Sequence, residues 1–263
     1  MPPGGIVLVS ACLLVHAPAG TAPRGRRPSR ARTSLPVSAT MQALHAASRG
    51  LADELRARAD ASGLAQYWVG IAGGAGSGKS TLARAVRDAL GPEVAVVLPM
   101  DGFHYTKAEL DRFDDPALAH DRRGAPFTFD ADSFVRRLAQ LRAAGEGAWP
   151  SFDHAVGDPI EDELRLDRSH LIVLVEGSYL LLDEAPWSDA AALLDEAWFI
   201  TVPEELARQR VAGRHARAWG WSLDQARARV ESNDLPNIRL VAQCEARAHI
   251  VIAGVTLSWV RQR

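Results

Sequence analysis

The chain has 263 residues, 47% of them hydrophobic and 24% charged, a balance that suits one globular α/β domain with an ordinary core. Of its 30 basic and 32 acidic residues, five arginines and no acid fall in residues 1–41, so the body from Gln42 carries 25 against 32, a net −7. Such a body offers no electrostatic footprint for nucleic acid or an anionic membrane, and Cys12 and Cys244 alone leave no disulfide framework and argue against a Cys/His zinc site.

At the N-terminus an apolar run, Ile6 to Val15, is too short to span a bilayer and is followed by Ala17-Pro18-Ala19. An acid-free stretch rich in Arg, Ser, Thr and Pro then runs to Thr40-Met41. This composition predicts a bipartite leader over 1–41, addressed to a plastid behind extra membranes. The alternative is a disordered extension, or a translation start at Met41 and with it a cytoplasmic protein. Residues 42–263 form the folded domain, and no run in them approaches transmembrane length.

Leu44, Leu51 and Leu55 predict a helix through about Ala61. "YWVGIA", Tyr67 to Ala72, is an apolar, partly β-branched run of strand length. Next comes Gly73-Gly74-Ala75-Gly76-Ser77-Gly78-Lys79-Ser80, which fits G-x-x-x-x-G-K-S/T. Glycines let such a loop fold tightly with its N–H groups turned inward as a nest for phosphate. The lysine reaches the β- and γ-phosphates and the serine hydroxyl can ligate Mg²⁺. From Ser80 and Thr81 a helix follows, with Leu82, Val86 and Leu90 on one face and Gly91-Pro92 as its stop. Strand, glycine loop and helix are the context this motif requires.

A second strand, Val94 to Leu98, ends at Pro99 and leaves Asp101 just beyond it. Residues 103–129 read as loops and short helices. Asp130 or Asp132 caps a helix with Phe134, Leu138 and Leu141 on its buried stripe, and Gly145 ends it. "LIVLVEG", Leu171 to Gly177, is apolar on both faces and therefore central, with Glu176 at its end. "EAWFITV" is a fourth strand, followed by a helix from Pro203; "SLDQARARVES" is another helix and "HIVIAGV" a last strand. The predicted fold is α/β: a three-layer P-loop NTPase with a central, mostly parallel sheet of about five strands and helices on both faces. Ligands bind beyond the carboxyl ends of such strands, which places Gly73–Ser80, Asp101 and Glu176 at one edge.

The type of phosphate chemistry follows from what accompanies the loop. A guanine-reading N-K-x-D is absent, "NDLPN" being the nearest stretch, and no "LSGGQ"-like transporter signature occurs. An ATPase usually closes its hydrophobic strand with an acidic pair, whereas here it closes with Glu176-Gly177. Instead an acidic residue, Asp101, follows the strand next after the loop, where a kinase needs a carboxylate to orient the acceptor hydroxyl and take its proton. Arg210, Arg214 and Arg217 fall at i, i+4 and i+7, which makes one helical face cationic. Bidentate guanidinium groups suit the charge of a transferring phosphoryl; the bland alternative is a solvated face with pairs such as Glu204 and Arg208.

"GGAGSGKST", "PMDGFHY", "RRGAPFTFD", "PSFDH", "VLVEGSYLLL" and "NDLPN" follow one another in this order. Together they make the chain, from about Tyr67 to Val255, resemble the P-loop kinases of uridine, phosphoribulose and bacterial-type pantothenate. Within that group it is similar to a nucleoside or sugar kinase-like branch of unassigned substrate. The resemblance implies ATP as donor, Mg²⁺ as cofactor, Asp101 as general base and Glu176 as a carboxylate on the Mg²⁺ side or behind it. It also implies a mobile lid near 203–220 whose arginines, Arg210 and Arg214 among them, close over the phosphates.

Phe103, His104, Tyr105, Arg122 and Arg123 are the acceptor-side candidates, since aromatic and basic residues suit a small acceptor bearing hydroxyls or an acid group. His154 reads equally as a site residue or a loop histidine; His120, His170 and His249 show no ligand spacing, and the seven tryptophans read as core. The expected function is ATP-dependent phosphorylation of a hydroxyl on a small metabolite, without nucleic acid or, in the mature form, membrane as partner, and with a homodimer allowed. The alternative is a nucleotide-binding regulatory or interaction protein that keeps the fold without transfer chemistry.

Overall fold

In the computed structural model residues 37–153, 156–254 and 258–261 are described. The leader before Val37 and the candidate His154 lie outside them. Alternation along the strands builds the molecule outward from β1 (Tyr67–Ala72). Trp68 and Ala72 face one apolar cluster while Val69 and Ile71 face another, as a period of two requires. β5 (Ile172–Gly177) behaves alike: Val173 and Val175 point to the first cluster, Ile172 and Leu174 to the second. All six of its residues are buried, the consequence of a strand covered on both faces.

The sheet runs β2 (Ala95–Pro99), β5, β1, β6 (Glu196–Thr201), β7 (Ile250–Ala253), β8 (Ser258–Arg261). The first five are parallel, and β8 adds an antiparallel edge to the five expected strands. α1 (Val37–Ser62) and α2 (Lys79–Leu90) cover one face, where Leu51, Leu55, Leu82 and Val86 meet Ile71, Leu174 and Trp198. α1 begins four residues before Met41, inside the stretch read from composition as leader. On the other face α5 (Ala131–Ala144) and α6 (Trp187–Ala192) enclose Trp68, Phe134, Trp149 and Trp187. Asp130 caps α5 by accepting from the Ser133 amide at 2.9 Å, and Gly145 closes it in the left-handed region at φ 76°. Among the described residues no helix is long and apolar enough to cross a membrane.

Three features depart from the sequence reading. β3 (Gly147–Asp153) and β4 (Asp158–Leu166) form a separate antiparallel hairpin. β4 is exposed along most of its length, so its sequence carries no apolar alternation to announce a strand. Beyond β6, α7 (Glu204–Trp219) is followed by α8 (Leu223–Arg229) and α9 (Leu235–Ala242), joined by a π-helical turn at Val230–Asp234 where the sequence suggested that the helix stops. Finally, Trp68, Trp149, Trp187 and Trp198 are core, but Trp219 and Trp221 at the end of α7 are 48% and 39% exposed. The loop between β2 and α5 holds the expected short helices, α3 (Lys107–Leu110) and α4 (Pro116–Asp121).

Candidate active site

The phosphate loop leaves β1 at Gly73 and enters α2 at Lys79. Its shape demands glycine at two points. Gly76 has φ 76°, and a Cβ there would lie 2.8 Å from the Ala207 carbonyl of α7. Gly78 stands at the N-cap of α2 with φ 98°, and no side chain caps the helix. The first amides of α2 are therefore left for an anion, where the helix dipole also favours negative charge. Ser77 Oγ is buried with no hydrogen-bond partner among the described residues. An orphaned hydroxyl beside uncapped amides fits a bound phosphate.

Lys79 and Ser80 open α2 and look across to the end of β5. The alternation that sends Leu174 toward α2 sends Glu176 the same way, so that Ser80 and Glu176 line the same cavity. Glu176 is 6% exposed. Burial pushes its pKa up, Lys79 opposes this, Asp101 adds to it, and the result is a carboxyl held above its usual range. Asp101 follows β2 in a 3₁₀ turn, Met100–Phe103, braced by the hairpin. Trp149 Nε1 donates to Pro99 O at 2.9 Å, and a Cβ on Gly102 would lie 2.4 Å from Pro150 O. The turn is pinned against β3.

α7 supplies the third wall. Arg210 Nη1 donates to the carbonyls of Gly76 at 3.1 Å and Ser77 at 3.5 Å. Arg210, Arg214 and Arg217 border one cavity of about 770 Å³ together with Lys79, Ser80, Asp101 and Glu176. The bland pairing of Glu204 with Arg208 is not what forms: Glu204 binds Arg239 at 2.9 Å, and Arg208 turns to Glu205 and Glu231. Gly76, Ser77, Gly78 and Thr81 line the same cavity, whereas Gly73, Gly74 and Ala75 shape the loop behind it. Arg84 also lines it, one helical turn past Ser80, and sequence reasoning passed over it. The signal was available: side chains on a helix lean toward its N-terminus, so a long residue at i+4 reaches back to the loop.

The acceptor-side candidates are dispersed. His104 and Tyr105 line a second cavity of about 290 Å³ with Glu109, Asp130, Arg136 and Arg137. His104 Nδ1 lies 2.9 Å from Asp101 O, its ring between Phe129 at 3.9 Å and Phe152 at 4.7 Å. Phe103 is buried core. Arg123 donates to Tyr105 O at 2.8 Å and Asp158 Oδ1 at 3.0 Å, and its guanidinium sits 5.8 Å from the Phe152 ring centre. Arg122 Nε donates to Asn233 Oδ1 at 3.2 Å. Ser151 and Phe152 of β3, part of the "PSFDH" stretch but given no site role from the sequence, line the 770 Å³ cavity that Asp101 borders. The site is thus a basic phosphate cradle with two carboxylates at its floor.

Comparison with known proteins agrees. Residues 68–260 match the model of the phosphoribulokinase / uridine kinase family. A Schizosaccharomyces pombe protein named as a candidate uridine kinase is 42% identical over 200 residues, 73% of this chain and 85% of its own length. An ATP-dependent kinase-like protein of Aspergillus versicolor is 44% identical over 145 residues, 52% of this chain and 84% of its own. The crystal structure of a candidate fructose transport system kinase from Silicibacter superposes with a TM-score of 0.68 at 32% identity, covering 75% of this chain and 95% of that one. With that family model matching residues 68–260 and a relative 42% identical over 73% of this chain, the chain belongs to the phosphoribulokinase / uridine kinase family.

Proposed function

We propose that the protein is an ATP- and Mg²⁺-dependent kinase acting on a hydroxyl group of a small metabolite. Family membership supports ATP-dependent phosphorylation of such a metabolite. The observation that carries the finer reading is the single cavity bordered by Lys79, Ser80, Asp101, Glu176 and the α7 arginines. In this reading the loop amides and Lys79 hold the β- and γ-phosphates, with Arg210 already anchored to the loop. The acceptor oxygen bonds to the γ-phosphorus, the bond from that phosphorus to the β–γ bridging oxygen breaks, and the hydroxyl proton passes to Asp101. Arg214 meets the charge that develops on the transferring group.

Among the described residues no cluster of three or more His, Cys, Asp or Glu forms a metal site. The oxygen donors Ser80 and Glu176 line the same cavity. One hydroxyl and one or two carboxylates, completed by phosphate oxygens, are a fitting set for a hard, octahedral cation. Bound there, Mg²⁺ would neutralise part of the phosphate charge.

Incubating the full chain with labelled ATP and Mg²⁺ against nucleosides, sugars, pantothenate and glycerate tests the reading. A labelled acceptor product is expected. Nucleotide-dependent capture of a partner with no product would replace it with the regulatory alternative. The plastid address is also proposed, on composition alone; a fluorescent fusion of residues 1–41 that stays in the cytosol would remove it.

A further inference from the structure

We propose that the acceptor carries an anionic oxygen group, a carboxylate or phosphate besides the hydroxyl that reacts, and that Arg122, positioned by Asn233, binds it. The inference rests on the kinase reading above and names the class of its second substrate.

Many arginines among the described residues are paired. Arg123 is held by Asp158, Arg229 by Asp121, Arg208 by Glu231 and Arg239 by Glu204. Arg122, like Arg214, is not. Half-buried, it makes no ion pair with any described residue, and its single side-chain hydrogen bond is from Nε to Asn233 Oδ1. That bond uses the inner edge of the guanidinium and leaves the two terminal nitrogens, the pair suited to two oxygens of one anion. A ligand anion would supply the direct ion pair that no described residue makes with this half-buried cation.

The support for Arg122 is rigid. Asn233 is 3% exposed, and both ends of its amide are used: Oδ1 accepts from Arg122, and Nδ2 donates to Arg123 O at 2.9 Å. Gly124 O accepts from the Tyr179 hydroxyl at 2.5 Å, and Ala125 N donates to Arg122 O at 2.8 Å. Asn233 reaches this loop because it stands in the π-helical turn between α8 and α9, a distortion that is rare and frequent at functional sites. The Tyr179 phenol, which donates to this loop, is raised first by burial and then by Asp101, while Arg122 lowers it and Asp234 raises it.

The test uses the full chain saturated with Mg²⁺ and a non-hydrolysable ATP analogue, so that the nucleotide's own anion positions are filled. Inorganic phosphate, glycolate and uridine are then titrated calorimetrically. Wild type should bind phosphate or glycolate, and the stronger of the two distinguishes a phosphorylated acceptor from a hydroxy acid. Arg122→Ala should weaken that anion by roughly tenfold or more, as expected for a lost charge-assisted bidentate contact. Arg122→Lys should not rescue it, because lysine offers Asn233 no Nε–H and the anion no fork. Asn233→Ala should weaken the anion with analogue affinity unchanged, which a general loss of structure would not do. Absence of anion binding in wild type, full binding in Arg122→Ala, or uridine binding as the only acceptor signal would each overturn the proposal. Failure of wild type to bind the analogue would instead remove the kinase reading and the proposal with it.

Discussion

Burial raises the Glu176 carboxyl because charge is unfavourable between β5 and α2, and Lys79 offsets only part of that cost. A group whose folded pKa exceeds its unfolded value, here 4.5, contributes stability below that value and loses it as pH rises through the folded pKa. As pH rises above that value the ligand-free protein therefore loses stability that a bound cation would restore. Glu176→Gln keeps the side-chain shape and removes the titration. It should unfold at a higher temperature than wild type near pH 8, with the difference shrinking toward pH 5, and should have lower Mg²⁺-dependent turnover. Thermal melts across that range without ligands check the first part; equal melting at both ends would count against it. Asp101 differs in kind, since it borders the cavity on a turn pinned by Trp149 and Pro150. Asp101→Asn keeps the shape and removes the proton acceptor, so kcat should fall by roughly 10² or more with analogue affinity retained. Unchanged turnover would strip Asp101 of that role.

At the scale of elements, legibility in the sequence followed burial. β1, β5 and the phosphate loop were readable because a strand apolar on both faces, ending in glycine, lysine and serine, has few other interpretations. The hairpin was not, because β4 keeps only Leu166 fully buried and Asp162 even adopts φ 53°. The π-helical turn was not, because Asn-Asp-Leu-Pro reads locally as a stop, while the tertiary bonds of Asn233 to the 122–124 loop carry the chain into α9. Its neighbour Asp234 accepts from His215 of α7 at 2.9 Å, and the His215 ring stacks on Trp219 at 4.3 Å. These contacts explain why two tryptophans lie outside the core. α7 itself combines a fixed and a free part. Arg210 is tied to the loop carbonyls, whereas Arg214 lines the cavity with no ion-pair partner among the described residues. Arg214→Ala should lower kcat by roughly 10²-fold while leaving ATP affinity within a few-fold, since its contact matters most as charge develops. α7 should also resist proteolysis when nucleotide and acceptor are both bound. A kinetically silent variant with ligand-independent cleavage would make the arginines ordinary surface.

Across the whole molecule, the two ends of the strands divide the work. The carboxyl edge carries the chemistry, while at the opposite end of β6 a buried charge ties α1 to the sheet. Glu196, the first residue of β6, is 2% exposed. Arg58 of α1 grips it with Nε at 2.7 Å and Nη2 at 3.0 Å, and the Tyr67 hydroxyl donates to it at 3.1 Å. Trp198 Nε1 donates to it as well. Burial, reinforced by that carboxylate, pushes the Tyr67 phenol up to about 12, so the phenol remains a donor throughout the physiological range. Each lone pair has a partner, but only Arg58 neutralises the charge. Removing one member of a buried pair leaves the other uncompensated, which costs about 3–5 kcal/mol, whereas an exposed pair such as Arg56–Asp60 contributes under about 1 kcal/mol. Arg58→Ala should therefore lower the melting temperature by several degrees, and Arg56→Ala hardly at all. Because this network stands at the far end of the strands from Lys79 and Asp101, the temperature rise produced by saturating Mg·ATP should be the same in Arg58→Ala as in wild type. Melting curves of both variants with and without nucleotide measure the two quantities together. A ligand shift that shrank along with the stability would mean that α1 reaches the phosphate loop through α2, and the two ends of the sheet would then act as one unit.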